Sequence, residues 1–294
     1  MRLLAHAKIN LSLGITGFLP NGYHNLEMIV QSLELADVID LRLTKSQIEL
    51  SGDQPYIPWD QRNLAYKAAQ LLQKACDCPQ GVNIFIQKRI PTQAGLGGGS
   101  ADAAAVLAGL NELWQLGLSL EQLQVLALEL GSDVPFCLSG GCALASGQGE
   151  KLQPLACRVK PQVLLVQPPW GISTAKAYQE YDCHPAPRQP DNRKLAKALA
   201  IGSWSGVNLI NVLEEPAFRL YPELRPIKKA LQKTQAQGVL MTGSGSCLYG
   251  LYSEINKAQA AAKKIEAKWP QMQIYFTSFA AQGISQEGGI LCRD

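Results

Sequence analysis

The sequence predicts an α+β protein built from two domains. The chain has 294 residues, more than a common single domain, and 47% of them are hydrophobic, which is enough for substantial cores. Strand-like and helix-like segments alternate in both halves, on either side of a change in composition at residues 154–161. One large α/β unit is the alternative that the length leaves open. We expect an N-terminal domain over residues 1–158 and a C-terminal domain over residues 159–294.

The first elements form a strand-rich region. Residues 3–15 and 28–43 predict two strands, because β-compatible apolar residues recur along them with partial alternation. A turn-rich loop at residues 17–25 separates them. Apolar residues at helical spacing predict a helix over residues 63–76, and a strand at residues 82–88 follows it.

Helices then dominate up to the change in composition. Residues 101–114 are rich in alanine and leucine and predict a helix. A second helix begins at Ser119, since Gln122 completes a capping-box pattern with it. A short turn containing Asp133 leads to a glycine-spaced strand at residues 141–149.

The second half predicts a further mixture of helices and strands. The helices are expected near residues 173–182, 191–200, 222–236 and 254–268, and the strands near residues 163–167, 238–242, 247–252 and 272–278. Three prolines within residues 182–192 predict an exposed loop there.

Composition also bears on partners and compartment. The net charge is +3 and no dense cluster of lysine and arginine stands out, so we expect no nucleic-acid partner. The eight cysteines form no CxxC pair and only three histidines are present, which argues against structural zinc. Buried free thiols are favoured over a disulfide framework. Without a secretory pattern or a long apolar run, the chain is expected to be cytoplasmic, with no membrane span and no removed leader.

A glycine-rich segment carries the strongest chemical signal. Residues 91–104 read PTQAGLGGGSADAA, and four glycines precede Ser100 and a helix. Backbone amides there can approach an anion, and the helix N-terminus favours negative charge. The pattern predicts a phosphate-binding loop, in which Ser100 donates to a phosphate or ligates a metal. The alternative is a glycine-rich turn that only allows close packing. The P-loop and dinucleotide motifs do not fit, because no Lys-Ser/Thr pair follows the glycines and a serine replaces the last glycine.

The whole string resembles the second motif of the GHMP kinase superfamily, which includes galactokinase, homoserine kinase and mevalonate kinase. Three other stretches resemble one branch of it: AHAKINLSLGITGFLPNGYHNLEMIVQSLELAD, LGSDVPFCLSGGCALASGQGE and MTGSGSCLYGLY. The resemblance runs from about residue 5 to residue 280. It implies ATP-dependent phosphorylation of the 2-hydroxyl of a cytidine diphosphate derivative of methylerythritol, in the non-mevalonate route to isoprenoid precursors.

The resemblance also implies a fold and an ATP site. The N-terminal domain should contain a left-handed βαβ crossover and the C-terminal domain should be ferredoxin-like, with ATP and substrate between them. The residues implied to bind ATP are Pro91, Gly95, Leu96, Gly97, Gly98, Gly99, Ser100 and Ala101, with Asn63 and Lys88 around adenine. Mg²⁺ is implied as the companion of ATP. No carboxylate pair for it is evident, so ATP, water and Ser100 are expected to hold the ion.

Two residues are implied to perform the chemistry. Asp133, in GSDVPF, matches the aspartate that accepts the proton of the attacking hydroxyl, and Lys8, in AKIN, matches the lysine beside it. The residues alone leave plainer readings open. A strand lysine often extends to solvent, and an aspartate before Val-Pro is often only a helix cap.

The alcohol substrate is expected to occupy a separate set of residues. By resemblance, His24 pairs with the edge of cytosine while Tyr23 and Tyr178 stack on its faces. Asn10 is expected to bind methylerythritol hydroxyls, because residues two apart on a strand share a face with each other. The floor under the reacting end is expected to be Thr242, Gly243 and Ser244. An exposed turn at residues 23–24 and a core-packed Tyr178 are the plainer alternatives.

Two rival functions remain possible from the sequence. One is a GHMP kinase for mevalonate, homoserine or a sugar, against which the stretch containing Tyr23 and His24 argues. The other is a catalytically silent metabolite-binding relative, against which the presence of Lys8 and Asp133 argues. We expect a small-molecule substrate as the partner, and a monomer or weak homodimer.

Overall fold

Two β-sheets with helices packed on them form the computed structural model, which describes residues 1–204 and 207–286. The larger sheet contains β1 (Arg2–Phe18), β2 (His24–Thr44), β3 (Ile48–Gly52), β4 (Gly81–Gln87), β5 (Cys142–Gly147), β6 (Lys151–Pro154) and β11 (Ile284–Gln286). The smaller sheet contains β7 (Gln162–Gln167), β8 (Gly238–Met241), β9 (Leu248–Tyr252) and β10 (Gln273–Ser278).

The helices fall between these strands. They are α1 (Leu64–Ala75), α2 (Gly98–Leu113), α3 (Leu120–Leu130), α4 (Val134–Ser139), α5 (Thr174–Cys183), α6 (Asn192–Ile201), α7 (Glu214–Leu220), α8 (Leu224–Gln232) and α9 (Ile255–Lys268). The alanine-rich α2 is buried along its middle, with Ala101 and Val106 inaccessible to solvent. Alanine allows this close approach to the sheet because its side chain is small.

The larger sheet has the strand order β11-β1-β2-β4-β3, and β5 pairs with both β2 and β6. β1 and β2 form a long antiparallel hairpin that is interrupted by bulges, one between His6 and Lys8 and another between Asn10 and Ser12. Because β2 has 21 residues, its two ends pair with different strands, β5 and β4. β3, α1 and β4 make a βαβ unit with parallel strands.

The smaller sheet has the antiparallel order β10-β7-β9-β8. Along the chain this reads as a strand, a set of helices, a hairpin, a helix and a last strand. That succession and order are those of a ferredoxin-like domain. The α+β fold class with a ferredoxin-like C-terminal part is thereby confirmed.

The two sheets are tied together near the end of the described chain. β11 returns to pair with β1, so that Leu3 lies opposite Gln286. Ala280 N donates to Ser32 O at 2.9 Å, and Leu35 N donates to Thr277 Oγ1 at 2.9 Å. The division at residue 158 therefore stays a prediction, and it leaves out a C-terminal strand that belongs to the larger sheet.

Some element predictions need correction. β1 and β2 extend further toward each other than predicted, so the loop between them shortens to residues 19–23. The turn at Asp133 is present as predicted, and it leads directly into α4. Helices α4 and α7 and strands β3, β6 and β11 were not predicted, because segments of three to seven residues are too short to show a period. α8 is shorter than predicted and spans Leu224–Gln232.

Two further expectations concern membranes and thiols. Within residues 1–204 and 207–286, no helix has both the length and the apolar character needed to cross a bilayer. The cysteines in that part of the chain are free, and Cys137, Cys142 and Cys247 are buried. Burial raises the pKa of the Cys247 thiol to about 12, so it stays protonated and packs as a small apolar side chain.

Candidate active site

The predicted phosphate loop runs into the N-terminus of α2 and borders a cleft of about 410 Å³. Gly97 caps the helix with φ at 72°, in the left-handed region that favours glycine. Among the residues predicted to bind ATP, those that line the cleft are Asn63, Lys88, Pro91, Gly95, Leu96, Gly97, Gly98, Gly99 and Ser100. Ala101 lies one step further into the helix and is fully buried.

The glycines also allow the loop to touch two other elements. A Cβ at Gly95 would lie 2.2 Å from the carbonyl oxygen of Thr242, and a Cβ at Gly97 would lie 2.9 Å from Lys8 Cγ. Lys8 N donates to Leu96 O at 3.0 Å. The glycines therefore also allow close packing of the loop, which was the alternative that the sequence left open. The same glycines that open the cleft to an anion bring it against β1 and the segment after β8.

The predicted catalytic pair lies beside this loop. Lys8 Nζ is 3.3 Å from Asp133 Oδ2. Lys8 is only 4% exposed, so its ammonium does not extend to solvent, whereas the Asp133 side chain is 32% exposed. Asp133 occupies the N-cap position of α4, yet within the described structure its side chain makes no capping hydrogen bond. The carboxylate thus faces Lys8 and solvent at once, which is what an accepting group for an incoming hydroxyl requires.

Asn10 lies two residues from Lys8 at the bottom of the site. Its Oδ1 accepts from Lys8 Nζ at 3.0 Å and from Gly243 N at 3.0 Å. Its backbone N donates to Thr242 Oγ1 at 3.2 Å, and Thr242 Oγ1 donates to Gly95 O at 3.0 Å. Ser244 bonds to Thr174 on the other side of the segment. The side chain of Asn10 is 1% exposed, so it holds Lys8 from beneath rather than facing the open site.

Aromatic rings gather where cytosine was predicted to bind. The His24 ring lies between Phe18 and Tyr178, with centroid distances of 4.7 Å to each. His24 Nε2 bonds to Asp182 Oδ1 at 2.7 Å. Burial raises the pKa of the Tyr178 phenol, and the negative charge of Asp133 adds to the effect. Tyr23 is 62% exposed, immediately before β2, and has no ring contact among the described residues.

Asn63 and Lys88 line the cleft but also have structural partners. Asn63 caps α1, where its Oδ1 accepts from Ala65 N at 2.9 Å. The Lys88 ammonium lies between the carboxylates of Asp37 and Asp102. Burial tends to lower the pKa of Lys88, but the two carboxylates outweigh burial and raise it. Their contact with adenine stays a prediction.

Several buried polar residues around the site were missed from the sequence. Asp37 is fully buried, and its Oδ1 accepts from the backbone N–H groups of Arg89 and Ile90 at 2.5 and 2.8 Å, just before the glycine-rich loop. Asp102 is on α2 and lines the cleft. Burial raises the pKa of Asp102 to about 8. The sequence did offer a sign of Asp37, because a charged residue among the apolar residues of a predicted strand indicates a buried carboxylate with partners.

No metal cage is evident in the part of the chain that the structure describes, since no group of three or more His, Cys, Asp or Glu side chains is arranged to hold an ion. The hydroxyl of Ser100 borders the cleft, and the Asp102 carboxyl beside it is already bonded to the Lys88 ammonium. One hydroxyl suits an ion that keeps water and phosphate oxygens as most of its ligands.

Comparisons with known proteins place this fold and site in a class. A model of the GHMP kinases N terminal domain matches residues 63–141, and a model of the GHMP kinases C terminal region matches residues 184–271. The first match contains the glycine-rich loop and Asp133, so the chain is an ATP-dependent kinase of the GHMP class.

Individual relatives narrow the class. A protein of Synechococcus sp. (strain JA-2-3B'a(2-13)) named 4-diphosphocytidyl-2-C-methyl-D-erythritol kinase is 44% identical over 96% of this chain and 94% of its own. A protein of the same name from Bacillus pumilus (strain SAFR-032) is 44% identical over 88% of this chain and 91% of its own. A crystal structure of 4-(cytidine 5'-diphospho)-2C-methyl-D-erythritol kinase superposes with a TM-score of 0.81 at 36% identity, covering 95% of this chain and 99% of that one. The chain belongs to the 4-diphosphocytidyl-2-C-methyl-D-erythritol kinase family.

Proposed function

We propose that this protein transfers the γ-phosphoryl group of ATP to the 2-hydroxyl of 4-diphosphocytidyl-2-C-methyl-D-erythritol, a step in isoprenoid precursor biosynthesis. The observation that carries the proposal is the placement of the Lys8 ammonium 3.3 Å from the Asp133 carboxylate, while the methylene stem of Lys8 lies against Gly97 of the glycine-rich loop. A proton acceptor, a cation and a phosphate cradle thus meet at one point. Phosphoryl transfer needs these three functions.

Asp133 serves as the group that accepts the proton of the attacking hydroxyl. Its partial exposure lets a substrate hydroxyl reach it, while Lys8 approaches from the buried side. The cation stabilises the ionised carboxylate and can orient the hydroxyl at the same time. The reaction gains most from holding the hydroxyl in line with the γ-phosphorus, because positioning supplies much of the rate enhancement in phosphoryl transfer.

The loop from Gly95 to Ser100 holds the phosphates. Its backbone N–H groups and the N-terminus of α2 favour an anion in the cleft. ATP enters with Mg²⁺, for which Ser100 offers a hydroxyl at the edge of the cleft. When bound, the ion neutralises phosphate charge. The backbone N–H groups of the loop also stabilise the phosphate charge, by donating hydrogen bonds to it.

The acceptor's cytidine diphosphate group distinguishes it from other GHMP substrates. The cluster of Phe18, His24 and Tyr178, whose rings are tilted to one another, offers aromatic surface for the base, and the exposed Tyr23 can turn onto its other side. Stacking accepts any base, so the preference for cytosine falls to hydrogen bonds at His24, whose ring is oriented by Asp182. We place this activity in the cytoplasm, in a monomer or weak homodimer.

A substrate panel tests the proposal. Purified protein is incubated with ATP and Mg²⁺ and with 4-diphosphocytidyl-2-C-methyl-D-erythritol, mevalonate, homoserine or galactose, and ADP release and the phosphorylated product are measured. Only the cytidine diphosphate compound should turn over. Turnover of another alcohol would move the chain to a different GHMP activity, and no turnover of any would favour a silent binding protein.

A further inference from the structure

Asn211 is a buried residue of the second half that packs against β1, the strand that carries Lys8. The two residues around it pair with Leu13 of that strand. Leu13 N donates to Ile210 O at 2.9 Å, and Val212 N donates to Leu13 O at 3.0 Å. Asn211 itself is 3% exposed. These bonds fix the backbone of Asn211 relative to β1, and its side chain therefore starts from a fixed position.

The amide of Asn211 holds the segment that follows β8. Its Nδ2 donates to Met241 O at 2.8 Å and to Gly243 O at 2.7 Å, and its Oδ1 accepts from Leu213 N at 2.9 Å. Glu214 Oε1 accepts from Met241 N at 2.9 Å. Both N–H bonds of the amide are used on backbone carbonyls. The peptide groups between Met241 and Gly243 thus have their orientation set from one side.

The other side of that segment faces the catalytic pair. Gly243 N donates to Asn10 Oδ1 at 3.0 Å, and the same oxygen accepts from Lys8 Nζ at 3.0 Å. Lys8 Nζ in turn lies 3.3 Å from Asp133 Oδ2. The Gly243 N–H belongs to the peptide group between Thr242 and Gly243, which lies between the two peptide groups whose carbonyls Asn211 holds. Rotation of that middle peptide group would move the oxygen on which the ammonium rests.

We propose that Asn211 is a positioning residue for phosphoryl transfer, which sets where the Lys8 ammonium stands without touching either substrate. The proposal rests on the proposed function, in which Lys8 and Asp133 act on the attacking hydroxyl. A residue of this kind lowers turnover when it is lost, because a displacement of about 1 Å at the reacting groups costs on the order of 10²-fold in rate. A residue that only stabilises the smaller sheet lowers the unfolding temperature and leaves kcat unchanged.

The test compares Asn211→Ala with a matched variant, Asn111→Ala. Asn111 also uses its amide on backbone, since its Nδ2 donates to Leu118 O at 3.0 Å and its Oδ1 accepts from Leu118 N at 2.9 Å. It lies near the C-terminus of α2, away from the glycine-rich loop. Assayed below both unfolding temperatures, Asn211→Ala should lose about 10- to 100-fold in kcat, with KM for ATP and for the alcohol changed by less than about threefold. Asn111→Ala should keep the wild-type kcat.

A double variant adds a readout that a purely structural role would not change. Asn10→Ala and Asn211→Ala act through the same lysine, so the loss in kcat of the pair should be smaller than the product of the two single losses. If Asn211→Ala does not fold, Asn211→Asp replaces only the Nδ2 donor and serves instead. A wild-type kcat in the folded Asn211 variant, or fully multiplicative losses, would overturn the inference. An inactive wild-type protein would instead overturn the proposed function.

Discussion

Lys8 shows how one side chain can be polar, buried and functional in a strand. A cation is costly to bury unless oxygen atoms surround it, and here Asn10 and Asp133 supply them. The bulge between His6 and Lys8 shifts the register of β1 at this point. Bulges re-aim side chains near active sites, and this one lies next to the lysine that contacts Asp133.

Asp133 should be essential for turnover but not for ATP binding. In Asp133→Asn the amide keeps the shape of the side chain but accepts no proton, so kcat is expected to fall by about 10²- to 10⁴-fold. ATP affinity, measured by calorimetry, should stay near the wild-type value. Asp191→Asn is the matched control, because Asp191 also caps a helix and accepts from Lys194 N at 3.0 Å. A near-normal kcat in Asp133→Asn would show that Asp133 does not accept the proton in the reaction.

Asp102 should make stability depend on pH. Burial raises its pKa from 3.8 to about 8 in the folded protein, so the folded state keeps a proton that the unfolded chain has already released. Because the folded-state pKa is the raised one, the contribution of this group to stability is present at low pH, is lost as pH rises toward about 8, and changes no further above that. The amide in Asp102→Asn does not titrate, so the variant lacks this contribution to the pH dependence of stability. Urea unfolding from pH 5 to 9 should show the wild type losing stability relative to the variant, and parallel curves would contradict the assignment.

The glycine-rich loop is the element whose sequence is most constrained by packing. Two of its glycines have positive φ, and a side chain at Gly95 would collide with the backbone of the segment after β8. The loop is thus held between β1, α2 and that segment. This arrangement explains why one short element borders the cleft and also contacts Lys8.

Replacing single glycines of the loop should show which of them the structure needs for close packing and which can take a side chain within the helix. Gly95→Ala places a Cβ 2.2 Å from Thr242 O at a φ of 76°, so we expect a loss of about 1–3 kcal/mol in unfolding free energy together with loss of turnover. Gly99→Ala meets its nearest atom at 3.8 Å within α2, and its unfolding free energy should stay within about 1 kcal/mol of wild type. Urea unfolding checks both, and equal stability of the two variants would contradict the packing argument.

At the scale of the whole molecule, the halves share hydrogen bonds at the active site and at the C-terminal return. Tyr249 Oη donates to Asn10 O at 2.9 Å across the two sheets, and β11 completes the larger sheet. We expect a single unfolding transition, with coincident urea midpoints by far-ultraviolet circular dichroism and by tryptophan fluorescence. The five tryptophans are distributed over both halves, so fluorescence reports on each. Two separated midpoints would show that the domains unfold independently.

The sequence by itself determined the long elements, the α+β class, the glycine-rich loop before α2 and, through its resemblance to a family, the residues expected at the site. Period and composition suffice for these because each is a local property of the chain. Tertiary structure alone decided that Asn10 accepts a hydrogen bond from Lys8 and that Asn211 donates to the backbone of the segment after β8. It also decided that Lys88 lies between Asp37 and Asp102. Those contacts join residues that are mostly far apart in the chain, and hydrogen bonds between distant buried groups leave no period for a sequence to show.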